Sequence, residues 1–147
     1  MFHRSKWLVF VCLLSAACAT APSKGGGGGG EPFSEQAKKG AALYGEHCAE
    51  CHGASGQGSE KAPRVVGMQA GALPLDPPGD RQHRKGQFKT VMDVAAFAVK
   101  NMPANDPGSL KEEDYWRILA FDLQANGIDL GDKHLDAELA KTLTIPR

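Results

Sequence analysis

The 147-residue chain predicts an all-α fold of three or four helices. Three observations carry this. No run of alternating apolar and polar residues is long enough for a useful strand. Three segments carry apolar residues at helical spacing, entering near Ser34, Phe88 and Ser109. Between the first two, residues 53–78 are rich in Gly, Pro and Ser. So long a structureless loop fits a small domain only if it wraps a bound group.

In chain order, His3, Arg4 and Lys6 make a basic start, Trp7 to Leu14 an apolar run, and Ser15-Ala16-Ala17 a small-residue site. The run is too short to span a bilayer, so residues 1–17 read as a signal peptide. Cleavage before Cys18 would resemble a bacterial lipoprotein signal and leave Cys18 lipidated. Ser15 stands where that pattern prefers Leu, and cleavage after Ala17 or Ala19 is the alternative. Residues 18–32 are a linker. Its six glycines, Gly25 to Gly30, behave as flexible coil, and the linker as a whole has a reach of roughly 20 Å. Such a tether suits a domain leashed to a membrane.

The folded domain is expected over 33–130, with 131–147 as a C-terminal extension. Ser34 is the expected N-cap of a helix running through Ala37, Ala41, Leu43 and Tyr44 into Cys48. Gly40 and Tyr44 share one face. A helical glycine costs about 1 kcal/mol against alanine, so Gly40 implies close approach of another helix. Val91, Val94, Ala95, Ala98 and Val99 line a second helix over Phe88–Lys100, which Pro103 ends. Asp106 to Ser109 is a turn, and Ser109 with Glu112 has a capping-box spacing. The third helix carries Tyr115, Trp116, Ile118, Leu119, Phe121 and Leu123 and stops at Asn126-Gly127. A short helix near Asp136–Thr142 follows.

The chemistry lies in Cys48-Ala49-Glu50-Cys51-His52, a C-x-x-C-H sequence and the attachment signature of c-type haem. Each thiol can add to one haem vinyl group, and His52 is placed to bind the iron. A zinc site would need four ligands, and His47, Cys48, Cys51 and His52 are too crowded in sequence for a tetrahedron. A dithiol redox pair would sit in a βαβ pattern, which is missing here. Candidates for the second axial ligand are Met68, Met92, Met102, His47, His83 and His134. Met92 falls inside a helix. Met68 is only sixteen residues past His52, in the same loop. Met102 sits at a helix end, stiffened by Pro103, and is the expected ligand. A thioether there raises the potential and closes the sixth site. Cys12 lies in the signal and Cys18 is the lipid candidate, so this assignment leaves no free thiol.

Gly40-x-x-Leu43-Tyr44, Cys48-x-x-Cys51-His52-Gly53, Ala62-Pro63, Met102-Pro103-Ala104 and the aromatic-rich last helix together resemble a class I cytochrome c, over roughly Phe33 to Gly127. The resemblance implies that fold around one covalently bound haem c and its iron, attached outside the bacterial cytoplasm. It implies Gly40 and Tyr44 packed on the last helix, with Ile118 and Phe121 as partners. It also implies a Pro63 carbonyl on the Nδ1–H of His52, orienting the ring. Trp116 and Phe97 are expected at the haem pocket or in the core. Pro107-Gly108-Ser109-Leu110 and Ala125-Asn126-Gly127 resemble small periplasmic cytochromes that accept electrons from exported dehydrogenases.

Charge narrows the function further. Without Arg4 and Lys6 the basic count falls from 17 to 15 against 17 acidic residues. No basic face is interleaved with aromatics, so nucleic-acid binding has no support. The cluster Arg81 to Lys85 reads as a solvated loop. No Ser-His-Asp set, paired carboxylates or phosphate loop points to other chemistry. The expected function is a mono-haem electron carrier, not an enzyme, on the periplasmic side and lipid-anchored to a membrane. Its partners would be exported redox proteins, a dehydrogenase or a terminal oxidase. The alternative is a haem enzyme subunit or small-molecule sensor with an open sixth iron site.

Overall fold

The computed structural model describes residues 30–70, 72 and 87–146. The expected signal peptide, Cys18, the linker up to residue 29 and His83 lie outside the described residues. Among these residues the helices follow in order: α1 Phe33–His47, α2 Ala49–His52, α3 Val91–Asn101, α4 Glu112–Ala125 and α5 Ala137–Thr142, with a 3₁₀ turn Met68–Ala70 after α2. Among the described residues there is no strand beyond one isolated bridge, Thr90 to Thr144. None of the helices is long and apolar enough to cross a membrane.

The pair α1–α4 organises the domain. Phe33 and Ala37 of α1 meet Leu119, Ala120 and Leu123 of α4 in one buried cluster. Gly40 is the contact point. A Cβ there would run into the backbone carbonyl of Arg117, so only glycine allows this approach. One turn on, the Tyr44 and Phe121 rings pack with centroids 5.0 Å apart. Helix α3 adds Val91 and Ala95 to the cluster. Glu31, just before α1, ties the helices from outside through Arg117 Nε at 2.8 Å and through Lys39.

Three helix starts differ from expectation. Pro32, not Ser34, is the N-cap of α1, and no side chain caps it. The Phe33 amide donates to Lys133 O at 2.8 Å, drawing Phe33 itself into the first turn and leaving Ser34 exposed. Helix α3 begins at Val91 because Thr90 and Asp93 form a reciprocal capping box. Helix α4 is capped by Lys111 without a side-chain bond, and Ser109 stays in the preceding turn through its amide to Asp106 O. Glu112, Glu113 and Asp114 fill the first turn of α4 instead, where carboxylates favour the helix dipole.

The segment after residue 130 packs into the same core. Leu135 and Ile145 are 0% and 3% exposed. Burial of such a side chain contributes roughly 1.5–3 kcal/mol. Gln36, buried in α1, clips this segment down: its Nε2 donates to Leu135 O at 3.0 Å and its Oε1 accepts from Leu135 N at 2.7 Å. The tail then pairs with the start of α3, Val91 N to Leu143 O and Ile145 N to Lys89 O.

Candidate haem site

Helix α1 breaks at Cys48 (φ −122°, ψ −35°), which is also the N-cap of α2. The Cys48 carbonyl accepts from Cys51 N at 3.1 Å and His52 N at 2.9 Å. This tight turn sets both thiols and the imidazole on one short helix. Gly53, at φ 83°, ends it, and Tyr44 Oη donates to the Gly53 carbonyl at 2.9 Å. The loop that follows folds back on the turn, with Gly58 N on His52 O at 2.7 Å.

His52 Nδ1 lies 2.7 Å from the carbonyl oxygen of Pro63. A carbonyl only accepts, so Nδ1 is the donor in this pair. The bond fixes the orientation of the ring and leaves Nε2 as the nitrogen open to a metal. The loop bearing Pro63 is held in turn. Val65 N and Val66 N both donate to Gly56 O. Asn126, at the C-terminus of α4, donates from Nδ2 to Val65 O at 2.9 Å and accepts at Oδ1 from Gly67 N at 2.9 Å.

Cys48 and Cys51 are half-buried free thiols. Burial first, then the Asp122 carboxylate and Cys51, push the Cys48 thiol up to about 12. A dithiol redox motif needs the reverse, a thiol lowered toward neutrality. Zinc has no better fit: among the described residues no three His, Cys, Asp or Glu side chains converge on one point. Two thiols at C-x-x-C spacing with a histidine tied beside them do fit covalent haem. Asp122 is a feature that sequence reasoning missed. Its Oδ1 is buried without a hydrogen-bond partner, and burial pushes the carboxyl up to about 8. One acid in an otherwise helical pattern gave no signal of this.

Met102 caps the C-terminus of α3 and is half-buried. Its amide donates to Ala98 O at 2.8 Å. Its carbonyl accepts from Tyr115 Oη at 2.6 Å and from Gly108 N at 3.3 Å. The other candidates among the described residues have contacts of their own. Met68 and Met92 pack against the hydrophobic core. His134 Nδ1 faces Glu31 O at 2.8 Å. His47 follows Glu46 at the end of α1, its Nε2 3.8 Å from that carboxylate. Trp116 and Phe97 are partly buried and pack against the core, Phe97 edge-on to Phe88 with centroids 5.5 Å apart. Trp116 also lines a groove of about 440 Å³ with Gln36, Glu112, His134 and Asp136, to which none of Cys48, Cys51, His52, Pro63 or Met102 contributes.

Helix α4 therefore serves both halves of the arrangement. Tyr115 near its start holds the backbone of Met102, and Asn126 just past its end holds the loop of Pro63. Eleven residues of helix separate them, about 16 Å along the axis.

Residues 35–121 match the family described as cytochrome C oxidase, cbb3-type, subunit III. Over 86 residues the chain is 33% identical to a thiosulfate dehydrogenase of Stutzerimonas stutzeri strain A1501, covering 56% of this chain and 25% of the relative. The structure resembles that of the sulfane dehydrogenase SoxCD from Paracoccus pantotrophus, with a TM-score of 0.52 and 26% identity over 75% of this chain and 53% of the other. The chain thus spans only a quarter to a half of the proteins it matches. The family carries covalent haem c, and the turn at Cys48–His52 has the donors that such a haem requires. The chain belongs to the cbb3-type subunit III family and is a class I c-type cytochrome, a mono-haem redox protein.

Proposed function

We propose that this cytochrome carries single electrons for an exported dehydrogenase, with its iron held between His52 and Met102. When bound, haem would supply the chemistry, the exchange of single electrons. The chain's residues supply attachment and ligation. Cys48 and Cys51 each add sulfur to one vinyl carbon and hydrogen to its neighbour, giving two thioethers. His52 offers Nε2 because Pro63 occupies its Nδ1–H, and this bond is the observation that carries the reading. Met102 offers a thioether sulfur, which favours the ferrous state and excludes small ligands from the sixth position.

The chain acts as a carrier rather than as the site of oxidation. Both relatives are named as dehydrogenases of sulfur compounds, so the donor we propose is a dehydrogenase of reduced sulfur. Residues 1–17 would export the chain to the periplasmic side, and Cys18 with the glycine tether would leash it to a membrane. Carbon monoxide tests the site directly. The ferrous wild-type protein should resist it, whereas Met102→Ala should bind it rapidly. Rapid binding by the wild type would overturn Met102 ligation and favour an enzyme or sensor.

A further inference from the structure

The Met102 peptide is fixed at both ends by different helices. Its amide is held by Ala98 of α3 and its carbonyl by the Tyr115 hydroxyl of α4, at 2.8 and 2.6 Å. Tyr115 is 8% exposed, so water competes poorly for its hydroxyl. The loop from Pro103 to Ser109 is otherwise closed by its own short bonds, Asp106 N to Pro103 O at 2.9 Å and Gly108 N to Met102 O at 3.3 Å. Those bonds shape the loop but do not attach it to α4. The Tyr115 bond does.

We propose that Tyr115 is a positioning residue for the sixth iron ligand: its hydroxyl, by holding the Met102 carbonyl, sets how firmly the methionine sulfur stays on iron. This rests on the reading of Met102 as that ligand. A ligand sulfur on a flexible side chain stays bound only while its backbone stays at the right distance. With the carbonyl tied, few positions are open to the Met102 backbone. With it released, the loop can swing away and leave the sixth position to hydroxide or another incoming ligand. The phenol thereby acts on the iron without touching it.

The test is Tyr115→Phe in the full haem-loaded chain, which keeps the ring and removes the oxygen. Loss of one neutral hydrogen bond raises the released population about fivefold. The expected results are a lower midpoint potential, a lower pH for replacement of the methionine in the ferric protein, and about fivefold faster carbon monoxide binding by the ferrous protein. Hydrogen exchange at the Gly108 amide should quicken in parallel. A purely structural tyrosine would lower the melting temperature and move neither the potential nor the replacement pH, and that outcome would overturn the proposal. Met102→Ala, run beside it, separates the two failures. If that variant still keeps a sulfur-to-iron absorption band, the ligand assignment fails. If it loses the band while Tyr115→Phe behaves as wild type, only the role of Tyr115 fails.

Discussion

The two flanks of the candidate haem site are built differently. On the histidine side, ties are dense and largely local. Cys48 O holds two amides, His52 is gripped at its carbonyl and its ring, and Gly56 O holds Val65 and Val66. On the methionine side, a single residue at a helix end is held by one backbone bond to α3, one within its loop and one phenol from α4. The contrast teaches where a c-type site can be tuned. The histidine side is one unit with the covalent attachment and is expected to stay on iron. The methionine side has few restraints, so small changes there should alter ligation.

The largest expected effect breaks both flanks together. Gly40→Val drives a side chain into the Arg117 carbonyl and separates α1, which leads into the haem turn, from α4, which ties both loops. A loss of about 3 kcal/mol is expected from overpacking at such a contact. Denaturant unfolding should show the drop, and haem content should fall with it.

Asn126→Ala should weaken the histidine flank alone. It removes the bonds to Val65 O and Gly67 N, together worth about 2 kcal/mol. The unfolding midpoint should fall while the methionine absorption band persists. Loss of that band would show the flanks to be coupled.

A third effect concerns Asp122, between the flanks. Tyr44 of α1 and Cys48 just past its end feel its charge, and burial pushes the Tyr44 hydroxyl well above its usual range. The carboxyl titrates near 3.8 when free and at about 8 here. Between those values the folded chain holds a proton that the unfolded chain lacks, so stability falls as pH rises through that window. Asp122→Asn should flatten the curve, seen as melting temperature against pH. A wild-type curve with no fall from pH 4 to 8 would contradict the assignment.

The smallest effect is on the surface. Lys61 and Glu50 pair at 2.7 Å beside the haem turn, with side chains 59% and 84% exposed. Solvent screens such a pair, so Lys61→Ala should leave the melting temperature unchanged.

Much of the histidine flank was legible in the sequence because its parts are close in the chain. The C-x-x-C-H spacing put three functional groups on one turn. The class I resemblance brought in Pro63, Gly40 and Tyr44; the Pro63 carbonyl lies on His52 Nδ1, Tyr44 packs on Phe121, and Gly40 meets the backbone of Arg117 before that of Ile118. Met102 was legible as a residue at a helix end before proline, but its restraint was not. Tyr115 read only as one residue of the last helix's apolar pattern, and nothing in a periodic pattern says that its hydroxyl meets a carbonyl thirteen residues back. Gln36 and Asn126 were missed for the same reason, since their partners lie 99 and about 60 residues away. The tail read as an extension because Leu135, Ala140 and Ile145 are isolated apolar residues in a polar stretch, yet all three enter the core. Caps failed where tertiary bonds outweighed local chemistry, as at Ser34, and Thr90 with Asp93 escaped notice because Phe88 looked like the helix start.

The central claim is that His52 and Met102 share one iron. Its most direct measurement is the long-wavelength sulfur-to-iron charge-transfer band of the ferric protein, in the wild type and in Met102→Ala. The wild type should show the band and the variant should lose it, with haem still covalently attached through Cys48 and Cys51. A band that survives in Met102→Ala, or that is missing from the wild type, would contradict it.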